Sequence, residues 1–178
     1  MKLRDIDLSG LRIIRYPDPR LRQPAQPVTE WGEALRPLVT RMFQIMYAAR
    51  GVGLAAPQLG LPLRLFVCNP NGQPGAGEVV YANPQLISQE GELNEEEGCL
   101  SFPGASARIR RYSKAILAAM DIDGKPVQQT GEGMMARVFQ HETDHVNGVL
   151  ILDRMPAMAK LANHSAIQNL EKAYAGIE

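Results

Sequence analysis

Two histidines four residues apart, with a glutamate directly after the first, stand in residues 141–145, HETDH. Residues i and i+4 are neighbours on one helix face, so the imidazoles of His141 and His145 can converge on a single ion. Glu142, one position on, can reach a water beside that ion without being a ligand itself. This is the residue set of metal-assisted hydrolysis. The bland alternative is an ordinary amphipathic helix that happens to carry two histidines, and the interposed glutamate favours the ion. Two imidazoles leave a catalytic site one protein ligand short, so the donor of the third decides the chemistry.

A histidine three positions after Gly148 would extend the motif, but that position is Ile151, which cannot coordinate. The glutamates after the motif are Glu171 and Glu178, neither in a recognisable ligand setting. The remaining histidine, His164, lies among polar residues near the end of the chain and reads as exposed. That leaves two thiols. Cys68 falls within the apolar run LRLFVCN (63–69), where a small buried hydrophobe is the expected role. Cys99 falls within EEEGCLSFPG, a polar stretch where burial explains it less well. A thiolate with two imidazoles suits a first-row divalent metal and leaves one tetrahedral position open. The ion would keep that thiolate charged despite Glu95, Glu96 and Glu97. Cys99 is the expected third ligand. A closed structural site would instead require a fourth protein ligand and have no use for Glu142.

The elements that must position these groups follow from periodicity. Residues 1–28, rich in proline and arginine towards their end, read as an extended N-terminal arm. Thr29 can cap an amphipathic helix over 30–49, with Leu35, Leu38, Val39, Met42, Ile45 and Met46 at helical spacing. From 61 to 130 the pattern changes to short strands, including a pair around Asp123-Gly124. GEGMMARVFQHETDHVNG then turns helical, with Met134, Val138, His141 and His145 on one face and Asn147-Gly148 as the stop. A last helix over 156–178 would bury Leu161, Ile167, Leu170 and Tyr174. The order predicts one α+β domain spanning 1–178, its strands mostly antiparallel.

Composition bounds the function classes. The chain has 178 residues, 45% apolar and 21% charged, an ordinary globular profile. Its formal net charge is zero, which gives no pointer to nucleic acid or an anionic membrane. No apolar run approaches the ~20 residues of a membrane span, and the N-terminus shows no apolar signal core. Two free thiols suit a reducing cytosol. The expected location is cytoplasmic and bacterial in type, with an organellar protein that has lost a transit peptide as the other reading.

With Cys99 joined to HETDH, the chain resembles the peptide deformylase family. The resemblance rests on GVGLAAPQ (51–58), EGCLS (97–101) and HETDH (141–145), matching that family's GxGxAAxQ, EGCLS and HExDH in order and approximate separation. It implies a hydrolase that removes the N-formyl group from the N-terminal formylmethionine of newly made polypeptides, releasing formate. It also implies one divalent ion per chain, iron(II) favoured and zinc, nickel or cobalt able to substitute. N-formylmethionyl nascent peptides would be the substrates, with transient docking at the ribosome. Cys99, His141 and His145 would be the ligands and Glu142 the general base and acid. Gln58 and the backbone N–H of Leu100 would donate to the oxyanion, and Gly53 with its neighbours would pair with the peptide backbone.

Beside the resemblance, Gly51 and Gly53 can let a substrate backbone approach and add as a strand. Val52 and Val138 are candidate walls for a methionine side chain. Glu97 is singled out as a substrate-side residue by its place in EGCLS, while the run Glu95–Glu97 otherwise reads as a solvated loop. Asp144 is expected to orient a ligand or to pair with an arginine such as Arg111. Some family members carry an arginine near position 106; here that position is Ser106, with Arg108, Arg110 and Arg111 nearby. The rival reading is an HExxH metalloprotease that cleaves internal peptide bonds through a carboxylate third ligand.

Overall fold

The apolar positions of the first helix do form one stripe. α1, Arg36–Ala48, buries Leu38, Val39, Met42, Phe43 and Met46 in a computed structural model that describes residues 2–176. Its start differs from the expected one. Gly32–Ala34 form a separate 3-10 turn, and Leu35 precedes α1 without a side-chain bond, so Thr29 is not the cap. Pro37 sits at the second helical position, where its missing N–H is one the helix leaves unpaired in any case.

Seven strands follow: β1 Gly53–Ala55, β2 Leu65–Cys68, β3 Val79–Glu90, β4 Leu93–Gly98, β5 Ser106–Arg111, β6 Lys114–Met120 and β7 Pro126–Glu132. Five form an antiparallel sheet in the order β1-β2-β3-β6-β7, which leaves β1 as an edge. β6 and β7 pair around Asp123-Gly124, as expected. The other two form a separate hairpin in which Glu97 faces Ala107 across the ladder. The acid run Glu95–Glu97 is therefore a strand, not a solvated loop: Glu95 and Glu96 are exposed, but Glu97 is buried. Along β5 the same alternation turns Ala107, Ile109 and Arg111 inward.

α2, Met134–Val146, lies against the sheet. Phe139 meets Tyr81 edge-on at 5.4 Å, and Tyr81 packs on Phe66 at 5.1 Å, which fixes the helix's height over the strands. Its end is set by Gly148 at φ 73°; a Cβ there would also lie 2.5 Å from the Arg22 carbonyl oxygen. The proline-rich arm thus abuts the end of the helix that carries HETDH. The arm contains two 3-10 turns, Leu3–Asp5 and Pro19–Arg22, and is sewn into the fold; Met1 lies outside the described residues. Ile14 N–H donates to the Gln58 carbonyl (2.8 Å), Tyr16 N–H to that of Ser101 (3.0 Å) and Ala25 N–H to that of Val146 (3.0 Å). The arm therefore ties together the three stretches the sequence singled out.

The single helix expected over 156–178 is broken. After α3, Ile151–Arg154, come α4, Ala157–Ala162, and α5, His164–Ala175; residues 177 and 178 lie outside the described residues. Asn163 marks the break, and its side chain bonds both the N–H (3.1 Å) and the carbonyl (2.8 Å) of Ser106. Leu170 is buried, but Leu161 is 67% exposed and does not join it. Among the described residues no helix is long and apolar enough to cross a membrane.

Candidate active site

α2 presents His141 and His145 with their Nε2 atoms 3.2 Å apart and their rings edge to face at 4.9 Å. The turn after β4 brings in Cys99, whose Sγ lies 3.3 Å from His145 Nε2. One ligand atom from each of the three lies within 4.8 Å of the others. Tetrahedral bonds of about 2.0–2.3 Å require ligand atoms roughly 3.3–3.6 Å apart, so the donor set fits a divalent metal. The rejected donors are elsewhere. Glu171 accepts the Tyr16 hydroxyl at 3.1 Å, Cys68 is buried in β2, and His164 is exposed; Glu178 lies outside the described residues.

Burial pulls both imidazoles towards the neutral form, but Cys99 and Glu97 outweigh it at His141 and hold that ring well above its ordinary range. His145 is pushed well below it, by burial and then by the charge on His141. The arrangement tolerates one positive charge and disfavours two adjacent imidazolium rings.

A chain of charged groups backs His141. Its Nδ1 meets Glu97 Oε1 at 2.6 Å, leaving Nε2 turned to the thiol and to His145. Arg111 donates to both Glu97 oxygens, at 2.7 and 3.1 Å, and to Asp144 Oδ2 at 2.6 Å. Arg154 closes the chain on Asp144 at 2.6 Å. Burial raises the Glu97 carboxyl, yet bonds from His141 and Arg111 prevail and hold it at about 2. The expected contact between Asp144 and Arg111 is present. Glu97 borders the cleft, and both its oxygens are taken by His141 and Arg111.

The edge of the sheet adds the groups around this cluster. Glu142 is 4% exposed, and burial pushes its carboxyl up to about 7. Its Oε2 has no hydrogen-bond partner. A Cβ on Gly53 would stand 2.4 Å from Glu142 Oε1, and one on Gly51 2.7 Å from Leu100 Cδ1. The glycines thus clear space for neighbouring side chains of the site, a reason that spacing alone did not suggest. Gln58 is held from behind, its Oε1 accepting Ala55 N–H at 2.9 Å. Its Nε2 thereby faces Cys99 Sγ at 3.6 Å and Ser101 Oγ at 3.3 Å. The Leu100 N–H has no hydrogen-bond partner among the described residues.

These groups line one cleft of about 400 Å³. Gly51, Val52, Gly53, Gln58, Glu97, Cys99, Leu100, Val138, His141 and Glu142 all border it, and Met134 adds an apolar wall. His145 is 1% exposed beneath it, with Nδ1 unpartnered. Arg108, Arg110 and Arg111 do not border the cleft; Arg50 and Arg137 do. Arg137 precedes His141 by four residues, a spacing that places it on the same face and could have revealed it. Its guanidinium is engaged by Glu95 (3.3 Å) and the Glu96 carbonyl (2.8 Å). Arg50, two residues beyond the end of α1, has φ 57°, the left-handed conformation that glycine usually takes after a helix and that costs another residue about 1 kcal/mol.

A family model for polypeptide deformylase matches residues 11–161. The chain belongs to the peptide deformylase family. A peptide deformylase of Acidobacterium capsulatum is 43% identical over 162 residues, which cover 90% of this chain and 95% of that protein. The chloroplastic/mitochondrial peptide deformylase 1B of Arabidopsis thaliana is 42% identical over 92% of this chain but only 61% of its own length. Among solved structures, the peptide deformylase of Legionella pneumophila superposes with a TM-score of 0.85 at 42% identity, covering 93% of this chain and 98% of that one. That of Plasmodium falciparum gives 0.90 at 35% identity, with the same coverage. The α+β class expected from the sequence is the class of these peptide deformylases.

Proposed function

We propose that this peptide deformylase removes the N-formyl group from formylmethionyl nascent chains through one divalent cation held by Cys99, His141 and His145, with Glu142 as its proton carrier. The observation that carries the assignment is the approach of Cys99 Sγ to His145 Nε2, 3.3 Å, with Gln58 Nε2 beside the same sulfur. A thiol in that place speaks against the rival metalloprotease reading, whose carboxylate ligand has no candidate among the described residues: Glu171 is bonded to Tyr16.

When bound, the cation supplies Lewis acidity that can bring a water's pKa to roughly 7. Glu142 takes the proton of the attacking water and hands it to the departing amine nitrogen. Its carboxyl is buried with one oxygen unpartnered, so that oxygen is free to receive the proton and pass it on. The formyl oxygen gains charge as the carbon becomes tetrahedral. Gln58 Nε2 and the Leu100 N–H then donate to it, each worth about 3 kcal/mol at the transition state. The Glu97 carboxylate fixes His141 in the tautomer that offers Nε2 to the ion. Val52, Val138 and Met134 receive the methionine side chain, and the free edge of β1, at Gly53, pairs with the peptide backbone.

Iron(II) is the proposed native ion, and the Cys-His-His set also admits zinc, nickel or cobalt. The proposed setting is the cytoplasm, with transient docking where formylated chains leave the ribosome. Formate release from a formyl-methionyl peptide, by protein prepared without oxygen and with its metal counted, tests the reading. Glu142→Gln should keep the metal and lose about 10³-fold in kcat. A fully metal-loaded wild type that yields no formate overturns the reading.

A further inference from the structure

The geometry points to Arg50 as a specificity-determining residue that favours substrates with an acidic side chain at either of the two positions after formylmethionine. This rests on the deformylase reading and concerns what lies beyond the reacting bond.

Three observations meet at Arg50. The first is its backbone. α1 closes with Gly51 N–H bonded to the Met46 carbonyl and Arg50 N–H to that of Tyr47, both at 2.9 Å, which forces residue 50 to φ 57°. Glycine is the usual occupant of such a position, and glycine stands immediately after it. A strained residue kept at the border of an active-site cleft suggests that its side chain is used there.

The second is its freedom. The two cations that border the cleft differ: Arg137 is engaged by Glu95 and by the Glu96 carbonyl. Arg50 is exposed and has neither an ion pair nor a hydrogen bond from its side chain among the described residues. An unpaired guanidinium presents a planar fork of donors that matches a carboxylate.

The third is its distance along the chain from the chemistry. Glu142 sits against Gly53. An extended peptide pairing with the free edge of β1 and passing Gly53, Val52 and Gly51 advances about 3.3 Å per residue. Arg50 lies three residues before Gly53, across the bend at Val52, and borders the same cleft. The side chains abreast of it are those of the second and third residues, beyond the methionine in the apolar pocket. The sequence around Arg50 adds no competing positive charge: the nearby loop 69–78, NPNGQPGAGE, contains no lysine or arginine.

The test is steady-state deformylation by the metal-loaded enzyme of three C-terminally amidated peptides: formyl-Met-Ala-Ser, formyl-Met-Glu-Ser and formyl-Met-Ala-Glu. The readout is the ratio of kcat/KM, acidic over neutral. Wild type should favour at least one acidic peptide about threefold, mainly through KM, and the preference should shrink as ionic strength rises. Arg50→Glu should invert the ratio, a swing of about tenfold. Arg50→Gly, which relieves the backbone and so preserves the fold, should bring the ratio to one. An unchanged ratio in both variants, with formate still released from every peptide, overturns the role of Arg50 and leaves the deformylase reading standing. Absence of formate from all three peptides with wild type overturns both.

Discussion

Cys68 and Cys99 are the same side chain in opposite settings, and both stand close to Glu142. Cys68 ends β2, directly across the ladder from Gly53, and is fully buried. Burial, and then the charge of Glu142, push its thiol up to about 12. It is held in the protonated form and acts as a small apolar group. Cys99 follows β4 in a turn, half-buried, with its sulfur beside an imidazole and a carboxamide donor. Nearness to Glu142 therefore does not make a ligand. What separates the two thiols is convergence: one faces a packed sheet, the other a pair of imidazoles that α2 holds 3.2 Å apart.

The largest effect expected from that difference is on the metal. Cys99→Ser should lose most of the bound ion and at least about 10³-fold in formate release, because a hydroxyl is a far weaker donor at neutral pH. Cys68→Ser should keep both and instead lower stability by about 1–3 kcal/mol, since it buries a hydroxyl among Phe66, Tyr81 and Phe139. The metal count should thus fall in Cys99→Ser alone, whereas Cys68→Ser should melt earlier in denaturant with its metal count unchanged. A Cys99→Ser enzyme that retained its metal would remove the basis of the comparison.

Gly53 sharpens it from the Cys68 side. The ladder partner of Cys68 has no room for a methyl group, because Glu142 Oε1 occupies that place. Gly53→Ala should keep the metal yet reduce kcat about 10²-fold by displacing the carboxylate. A wild-type kcat would show that the carboxylate tolerates the shift and that the glycine serves the substrate backbone alone. The smallest of the three effects on activity belongs to the support behind the Cys99 side. Glu97→Gln should weaken metal retention by 10–100-fold through a less well oriented His141. Unchanged affinity in a chelator titration would count against that chain of contacts.

How much of this was legible in the sequence follows the same divide between local pattern and convergence. HETDH on a helix, the stop at Gly148 and the contrast between the two thiols could all be read from residue type and spacing. The β4–β5 hairpin could not be read as strands. Its inward positions include Glu97 and Arg111, so the period-2 signal of apolar residues is absent where charge is buried against charge. The roles of the glycines were legible as space but not as whose space, because the clashing atoms belong to Leu100 and Glu142, far along the chain. The terminal helix read as continuous because Asn163 is a mild helix breaker; its bonds to Ser106 decide the interruption. Arg50 was invisible because a helix end at φ 57° is ordinarily announced by glycine.

The most direct test of the central claim is spectroscopic. Cobalt(II) loaded in place of the native ion gives a thiolate-to-metal charge-transfer absorption only when sulfur is a ligand. Wild type and Cys68→Ser should both show the band, and Cys99→Ser should lack it. A band that survives in Cys99→Ser, or disappears in Cys68→Ser, would contradict the assignment of Cys99 as the third ligand.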